Sequence, residues 1–133
     1  MVVDTSALVA VVVGEDDAEW FLAHLTRPID GRHVSVSAAS WVEAFIVLES
    51  RQGPDATRDL MLLLSGIGSV TVPVDDDQAR GAVAAWRRFG KGRHPAGLNF
   101  GDCFSYALAQ QLAEPLLFKG NGFRRRMSPQ STD

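Results

Sequence analysis

Short apolar runs alternate along the chain with longer segments in which apolar residues recur at helical spacing. The short runs predict strands at residues 2–3, 33–37, 70–74 and 115–118. The longer segments predict helices at residues 7–13, 16–25, 38–51, 55–64, 75–89 and 102–112. Strands that alternate with helices in this order indicate an α/β domain with a mainly parallel central sheet of four to five short strands flanked by helices. Pro73 lies within the third predicted strand, which we therefore expect at an edge of the sheet.

Length and composition narrow the class of protein. The 133 residues suit one domain, and a content of 46% apolar residues excludes a disordered or fibrous chain. No run reaches the ~20 apolar residues that a membrane helix needs, and the first residues lack the basic segment of a signal peptide. Cys103 is the only cysteine, which excludes an intramolecular disulfide and a multi-cysteine zinc site. We therefore expect a cytoplasmic protein without membrane contact.

The charge of the chain is unevenly distributed. The net charge of −3 argues against a general nucleic-acid binder. Residues 78–132 nevertheless hold nine lysines and arginines against two acids, a balance of +7, whereas the rest of the chain has a balance of −10. The C-terminal half is therefore suited to meet a polyanion. On charge alone, however, a solvated basic helix surface is the simpler explanation.

Three carboxylates stand alone in apolar surroundings. Asp4 follows the first predicted strand, Glu43 is the only charged residue in positions 38–48, and Asp102 opens the last predicted helix. Ligands of parallel sheets bind outside the carboxyl ends of the strands, where these three positions can converge. Because buried carboxylates without a cation repel one another, a shared Mg²⁺ or Mn²⁺ ion would stabilise the group.

Each of these acids also has a structural explanation. Asp4 and Asp102 are suited to cap helices or to lie in their first turns. Glu43 has Arg51, two helical turns away, as a candidate partner. Taken singly, the aspartates are explained equally well either way, and only the combination of all three acids favours a site.

Other residue types give weaker signals. The glycine-rich loop at residues 90–92 lacks the Ser or Thr of a phosphate-binding P-loop. Three serines lack the strand–turn–helix setting of a nucleophile: Ser6, Ser40 and Ser105. The three tryptophans are expected in the core: Trp20, Trp41 and Trp86.

Four segments carry a resemblance to a known family: "VVDTSALVA", "SAASWVEAFIVLE", "RFGKGRHPAGLNFGDCFSYALA" and "EPLLFKGNGF". In their order and spacing they resemble PIN-domain ribonucleases and, more narrowly, the VapC toxins of bacterial toxin–antitoxin operons. The resemblance covers the chain up to Phe123 and implies a PIN-like nuclease domain over residues 1–123. It further implies that Asp4, Glu43 and Asp102 bind Mg²⁺ or Mn²⁺ and activate water to cleave RNA. The Ser6 hydroxyl is implied to assist at the metal site.

The chain departs from this family near its C-terminus. The family usually has a fourth acid where this chain has Gly122, and the neighbouring Asn121 offers only a neutral oxygen donor in support. After Phe123 we expect an irregular basic tail, residues 124–133, in place of the short strand of the family. These departures leave an alternative open, in which a PIN-fold protein binds RNA or an antitoxin without efficient turnover.

The resemblance also implies a function and partners. It implies the toxin of a type II toxin–antitoxin system, a metal-dependent endoribonuclease that cleaves structured RNA (tRNA or rRNA) and pairs with a small antitoxin. It implies a homodimer as well, for which the apolar helices around Trp41 and residues 61–64 are suitable surfaces. The candidates to hold RNA phosphates, each equally well explained as a solvated cation, are Lys91, Arg93 and Lys119. A phospho-receiver regulator would leave Glu43 and Asp102 unexplained. A phosphatase of the haloacid dehalogenase type would need a second acid where this chain has Ser6.

Overall fold

The computed structural model describes residues 1–27 and 33–120, together with the backbone of residues 123–127. The elements in chain order are β1 (Val2–Val3), α1 (Thr5–Val13), α2 (Ala18–Thr26), β2 (Ser35–Ser37), α3 (Ala38–Gln52), α4 (Pro54–Gly66), β3 (Val70–Val72), α5 (Asp76–Phe89), α6 (Phe100–Leu112), β4 (Leu116–Gly120) and β5 (Phe123–Met127). Every predicted strand and helix is present, with ends that differ by a few residues from the prediction. The predicted α/β class is confirmed.

The five strands form one sheet in the order β3-β2-β1-β4-β5. The first four strands are parallel: Val2 pairs with Ser35 of β2 and with Leu116 of β4, and β2 pairs with β3. β3 lies at one edge of the sheet, as Pro73 directly after it predicts. The carboxyl ends of β1 and β2 therefore lie side by side, followed by the first turns of α1 and α3.

The last strand corrects the sequence prediction. The sequence predicts an irregular tail after Phe123, but β5 pairs antiparallel with β4 from Gly120↔Phe123 to Leu116↔Met127. Three consecutive arginines conceal the apolar–polar alternation that marks a strand, and an edge strand is stabilised largely by backbone hydrogen bonds to its neighbour. The prediction was wrong for residues 124–127. Asn121, Gly122 and residues 128–133 lie outside the described residues.

Two hydrophobic clusters pack on opposite faces of the sheet. Val3 and Leu117 belong to a cluster with α1–α4, whereas their chain neighbours Val2 and Leu116 belong to a cluster with α5 and α6. Successive strand residues point to opposite faces, so α1–α4 cover one face and α5 and α6 the other. Phe21 is the largest fully buried side chain, and burying a side chain of this kind contributes about 1.5–3 kcal/mol. Within the described ranges, no helix has the length and apolar character to span a bilayer.

Candidate active site

A cleft of about 490 Å³ lies at the carboxyl end of β1, between α1, α3 and α6. Asp4 directly follows β1, Glu43 lies in the second turn of α3, and Asp102 lies in the first turn of α6. All three side chains line this cleft, and we refer to Asp4, Glu43 and Asp102 as the acid triad. The structure thus brings together three carboxylates that are far apart in the sequence.

Asp4 is buried, and its carboxylate accepts three hydrogen bonds. Its Oδ2 accepts a hydrogen bond from Ser6 N at 3.0 Å, which makes Asp4 the N-cap of α1. Ser6 Oγ donates to the same oxygen at 2.6 Å, and Ser105 Oγ donates to Oδ1, also at 2.6 Å. A carboxylate has about four lone-pair sites, so these three donors leave capacity for a further partner. The structural role as a cap and a role in the cleft are therefore compatible.

Ser105 is a site residue that sequence reasoning missed, because the serine was considered only as a nucleophile. It is fully buried in α6, and its Oγ lies 2.8 Å from Ser40 Oγ. Since a serine has one hydroxyl proton, which Ser105 directs at Asp4, Ser40 is the donor in this contact. Thr5 Oγ1 in turn donates to the Ser40 carbonyl at 2.9 Å. A buried serine in an apolar helix is a signal for such a role, but its target is visible only in the folded protein.

Asp102 takes part in a capping box at the start of α6. Asn99 Oδ1 accepts from Asp102 N at 2.8 Å, and Asp102 Oδ2 accepts from Asn99 N at 3.0 Å. Burial, and then the charge of Asp4, raises the pKa of Asp102 to about 7. The charge of Glu43 and a hydrogen bond to the Asp4 carboxyl act in the same direction, while the Asn99 backbone opposes them. Asp102 thus caps its helix and also interacts with the other two acids.

In the part of the chain that the structure describes, Glu43 forms no ion pair with a basic side chain. Burial raises its pKa, the Thr5 hydroxyl lowers it, and the charge of Asp4 raises it. Arg51, its candidate partner from the sequence, lines the same cleft. Among the described residues, however, no Lys, Arg or His forms an ion pair with a member of the acid triad. Carboxyl groups in a cleft whose pKa values are raised by burial and by a neighbouring acid, as those of Glu43 and Asp102 are, are characteristic of functional sites.

The donor atoms fit a hard divalent cation that keeps part of its water shell. Mg²⁺ is usually held by one or two carboxylates and several waters, and Asp4 lies close enough to Asp102 to raise the pKa of Asp102. No three acidic, histidine or cysteine side chains in the described part of the chain are already arranged as ligands of one ion. The expected set of three direct ligands is therefore not preformed, and Glu43 lies beside a pair made by the two aspartates.

Lys119 lines the cleft that holds the acid triad, but its ammonium group already forms ion pairs with other acids. Its Nζ forms ion pairs with Glu15 at 2.8 Å and Asp17 at 3.2 Å, and hydrogen bonding to Glu15 raises the pKa of Lys119. These acids lie 104 and 102 residues away along the chain, so the sequence did not reveal the pairing. The Lys119 backbone N–H donates to Ser6 Oγ at 2.9 Å, and β4 thereby helps to hold the hydroxyl that faces Asp4.

An apolar groove with a volume of about 630 Å³ lies between α5 and α6, and Arg93 contacts one of its lining residues, Trp86. Lys91 lines the groove, and the Arg93 guanidinium lies 4.3 Å from the centre of the Trp86 ring. Trp86 is 44% exposed and Phe100 is 80% exposed. The prediction that Trp86 lies in the core was wrong, because the apolar stripe of α5 continues onto the surface. Asn99 lines both the groove and the acid cleft, which are therefore contiguous.

Comparison with known proteins assigns the family. A family model described as the PIN domain matches residues 1–127. Over 124 residues the chain is 52% identical to a protein of Mycolicibacterium smegmatis named Ribonuclease VapC, and the match covers 93% of this chain and 94% of that protein. The chain belongs to the VapC ribonucleases of the PIN-domain family.

Further VapC ribonucleases give the same result. Ribonuclease VapC30 of Mycobacterium tuberculosis is 49% identical over 125 residues, with 93% of this chain and 92% of that protein covered. Ribonuclease VapC28 of the same species is 50% identical over 124 residues, with 92% and 91% covered. The match to the PIN family ends at residue 127, where β5 also ends.

A solved structure confirms the PIN fold. It is that of Mycobacterium tuberculosis VapC20, which is described as a toxin that cleaves the sarcin–ricin loop. The TM-score is 0.65 at 19% sequence identity, and the superposition covers 85% of this chain and 83% of that one. At this identity the likeness concerns the fold.

Proposed function

We propose that this VapC ribonuclease is the toxin of a type II toxin–antitoxin system and a metal-dependent endoribonuclease that cleaves structured RNA, either tRNA or rRNA. The observation that carries the proposal is the cleft in which the acid triad meets without a neutralising cation among the described residues. The names of the relatives support ribonuclease activity. The description of VapC20, which has the same fold, motivates structured RNA as the substrate class.

The proposed cofactor is Mg²⁺ or Mn²⁺, held by Asp4 and Asp102 with Glu43 beside them. When bound, the cation lowers the pKa of a water molecule and neutralises charge that develops on the phosphate. The hydroxyls of Ser6 and Ser105 keep the Asp4 carboxylate in one orientation, as groups behind metal ligands commonly do. Asp102 has to release its proton for this role, because only the ionised carboxylate is a good ligand.

Glu43 is the proposed general base of the reaction. Burial raises its pKa in the ion-free cleft, and a carboxyl group with a raised pKa is a better proton acceptor than an ordinary glutamate. In this role a carboxylate oxygen of Glu43 orients the attacking water and accepts its proton as the phosphodiester bond breaks.

The RNA backbone is proposed to approach along the groove between α5 and α6, which Lys91 lines and whose Trp86 Arg93 contacts. This groove is contiguous at Asn99 with the cleft that holds the acid triad. Lys119 is the third proposed phosphate contact. Its ion pairs with Glu15 and Asp17 have to open before it takes that role. Contacts of this kind position the substrate without reading its sequence.

The proposed partners are a second copy of the chain and a small cognate antitoxin. Four apolar side chains on the neighbouring helices α3 and α4 are half or more exposed: Val42, Ile46, Met61 and Leu62. Exposed apolar surface of this kind marks candidate interfaces. Light scattering at micromolar concentration tests the dimer, and a monomeric mass would contradict it.

The alternative is a PIN-fold protein that binds RNA or an antitoxin with little turnover. Two observations favour it: a three-ligand set is not preformed among the described residues, and position 122 carries glycine instead of the family's acid. The variant Gly122→Asp separates the two proposals. If the missing carboxylate limits catalysis, this variant cleaves RNA faster, or at a lower metal concentration, than the wild type. Equal activity would show that position 122 is not limiting.

Cleavage of total RNA by purified protein, titrated with Mg²⁺ and Mn²⁺, tests the main proposal. We expect metal-dependent cleavage by the wild type and none by Asp4→Ala. Equal cleavage by both proteins would indicate a contaminating nuclease and would overturn the proposed activity. RNA binding by the wild type without cleavage in either metal would support the alternative.

A further inference from the structure

Gly101 is the second residue of α6 and is buried. It lies between Phe100, which is exposed, and Asp102 of the acid triad. Glycine is less favourable than alanine inside a helix, because it loses more conformational freedom on folding. Gly101 is not among the residues with a positive φ, so its backbone conformation does not require a glycine. Its presence in the first turn of this helix needs another explanation.

The space that a side chain would fill at Gly101 is taken by the Glu43 carboxylate. A Cβ atom added to Gly101 would lie 2.5 Å from Glu43 Cδ and closer still to both carboxylate oxygens. Real Cβ atoms essentially never approach other atoms within 3.0 Å. Gly66, the last residue of α4, shows the opposite situation, because a Cβ atom added there meets nothing within 4 Å.

This contact connects two separate elements of the site. Glu43 extends from α3 and reaches the first turn of α6 at the one position that has no side chain. The next residue, Asp102, is held independently by its capping box with Asn99. A residue larger than glycine at position 101 would therefore move Glu43 and leave Asp102 where it is.

We propose that Gly101 is a positioning residue of the active site: its lack of a side chain keeps open the place beside Asp102 that the Glu43 carboxylate occupies. This inference rests on the proposed function, because Gly101 acts through a residue of the proposed site. The atoms that would have to give way are the end of a flexible glutamate side chain, so the protein can accept alanine at position 101 without unfolding. The substitution would instead displace the Glu43 carboxylate from its place beside Asp102.

Four variants test the proposal. Gly101→Ala introduces the conflict, and Gly66→Ala is the matched control, since it adds the same methyl group to a helical glycine with open space around it. Glu43→Asp shortens the carboxylate side chain by one methylene group and withdraws it from position 101. The double variant Gly101→Ala/Glu43→Asp then shows whether the effect of the added methyl depends on the length of residue 43. Mn²⁺ binding to the RNA-free protein is measured by calorimetry, alongside RNA cleavage.

We expect Gly101→Ala to reduce RNA cleavage, because it displaces the proposed general base. We also expect it to weaken Mn²⁺ binding by up to about tenfold, because the negative charge of Glu43 then lies further from the cation beside it. Gly66→Ala should bind and cleave like the wild type. In the Glu43→Asp background, adding Gly101→Ala should reduce Mn²⁺ affinity and cleavage much less than it does in the wild type, because residues in contact have non-additive effects. Binding by Gly101→Ala equal to that of Gly66→Ala, or the same loss in both backgrounds, would overturn the proposal.

Thermal melting of the metal-free protein provides a readout that does not depend on activity. In a Glu43→Ala background the conflict is absent, so Gly101→Ala should raise Tm there by more than it does in the wild type. Equal changes in the two backgrounds would overturn the proposed contact. If the wild type neither binds Mn²⁺ nor cleaves RNA, the proposed function fails, and this melting comparison alone decides whether Glu43 and residue 101 compete for the same space.

Discussion

Two groups of carboxylates lie in or beside the same cleft and are stabilised in different ways. Glu15 and Asp17 share the ammonium group of Lys119. The acid triad has hydroxyl and backbone N–H donors around it, and no ion pair to any of its members occurs within the described residues. The first group is an ordinary structural ion-pair cluster, whereas the second retains negative charge that a bound cation would neutralise.

Because of this difference, we expect replacement of an acid by its amide to have opposite effects on the stability of the ion-free protein in the two groups. Replacing an acid of the triad by its amide removes repulsion within the ion-free cleft and removes a proposed ligand. Replacing Glu15 or Asp17 removes an attraction to Lys119 and leaves the proposed metal ligands and general base unchanged. The contrast between the two groups can therefore be tested with matched Asp→Asn variants.

The largest effect is expected from Asp102→Asn. The amide oxygen can still accept from Asn99, so α6 keeps its cap. The loss of a proposed ligand should lower metal-dependent cleavage at least about a hundredfold. The control is Asp17→Asn, which should cleave within a small factor of the wild type. Equal losses in the two variants, measured as initial rates on the same RNA, would remove the distinction between the two groups.

The next largest effect is expected from Ser105→Ala. This change leaves Asp4 Oδ1 without its donor and the Ser40 hydroxyl without its acceptor, which destabilises the protein by about 1–3 kcal/mol. Because the Asp4 carboxylate is then less restrained, Mn²⁺ affinity should fall about tenfold. Ser40→Ala acts one hydroxyl further from the carboxylate and should reduce the affinity less. Calorimetry measures both, and a larger loss for Ser40→Ala would contradict the orientation of this hydrogen-bond chain.

In the metal-free protein, the effect of Asp102→Asn on Tm should depend on pH. The pKa of Asp102 rises from 3.8 to about 7 on folding, so the folded state holds a proton that the unfolded state releases between these two values. The contribution of Asp102 to stability therefore falls as pH rises from about 4 to about 7. The gain in Tm from Asp102→Asn over the wild type should accordingly be larger at pH 8 than at pH 5. A gain that is independent of pH would show that Asp102 ionises normally in the fold.

The smallest effect is expected from Lys119→Gln. Because its ion pairs with Glu15 and Asp17 are partly exposed, their loss should lower stability by about 1 kcal/mol or less. If Lys119 contacts RNA phosphate, KM rises while kcat changes little. A fall in kcat comparable to that of Asp102→Asn would instead place Lys119 among the reacting groups.

The fold and the acid triad were accessible from the sequence for a common reason. Strand and helix periodicity is a local property, and so is the isolation of Glu43 within an apolar helix. The position of Asp4 directly after a strand was equally visible. The carboxyl ends of adjacent parallel strands lie together, so local patterns were enough to predict that the acids approach one another.

Features that depend on distant contacts were not accessible in this way. Ser105 is recognisable as a partner of Asp4 only once α6 is packed beside β1, and the meaning of Gly101 depends on the direction of a side chain from α3. The engagement of Lys119 depends on acids at the other end of the chain. The sequence prediction missed β5 for a similar reason. This strand forms through backbone pairing with β4, and its run of three arginines lacks the alternation of apolar and polar residues that predicts a strand.

Cation binding by the acid triad is tested most directly by the shift in Tm that Mn²⁺ produces at pH 8 in three proteins: the wild type, Asp102→Asn and Asp17→Asn. An ion that binds only the folded state stabilises it by about 2.7 kcal/mol at a hundred times its dissociation constant. We expect a concentration-dependent rise in Tm for the wild type and Asp17→Asn, and none for Asp102→Asn. No shift in the wild type, or the same shift in Asp102→Asn as in the wild type, would contradict the claim that the acid triad is a cation site.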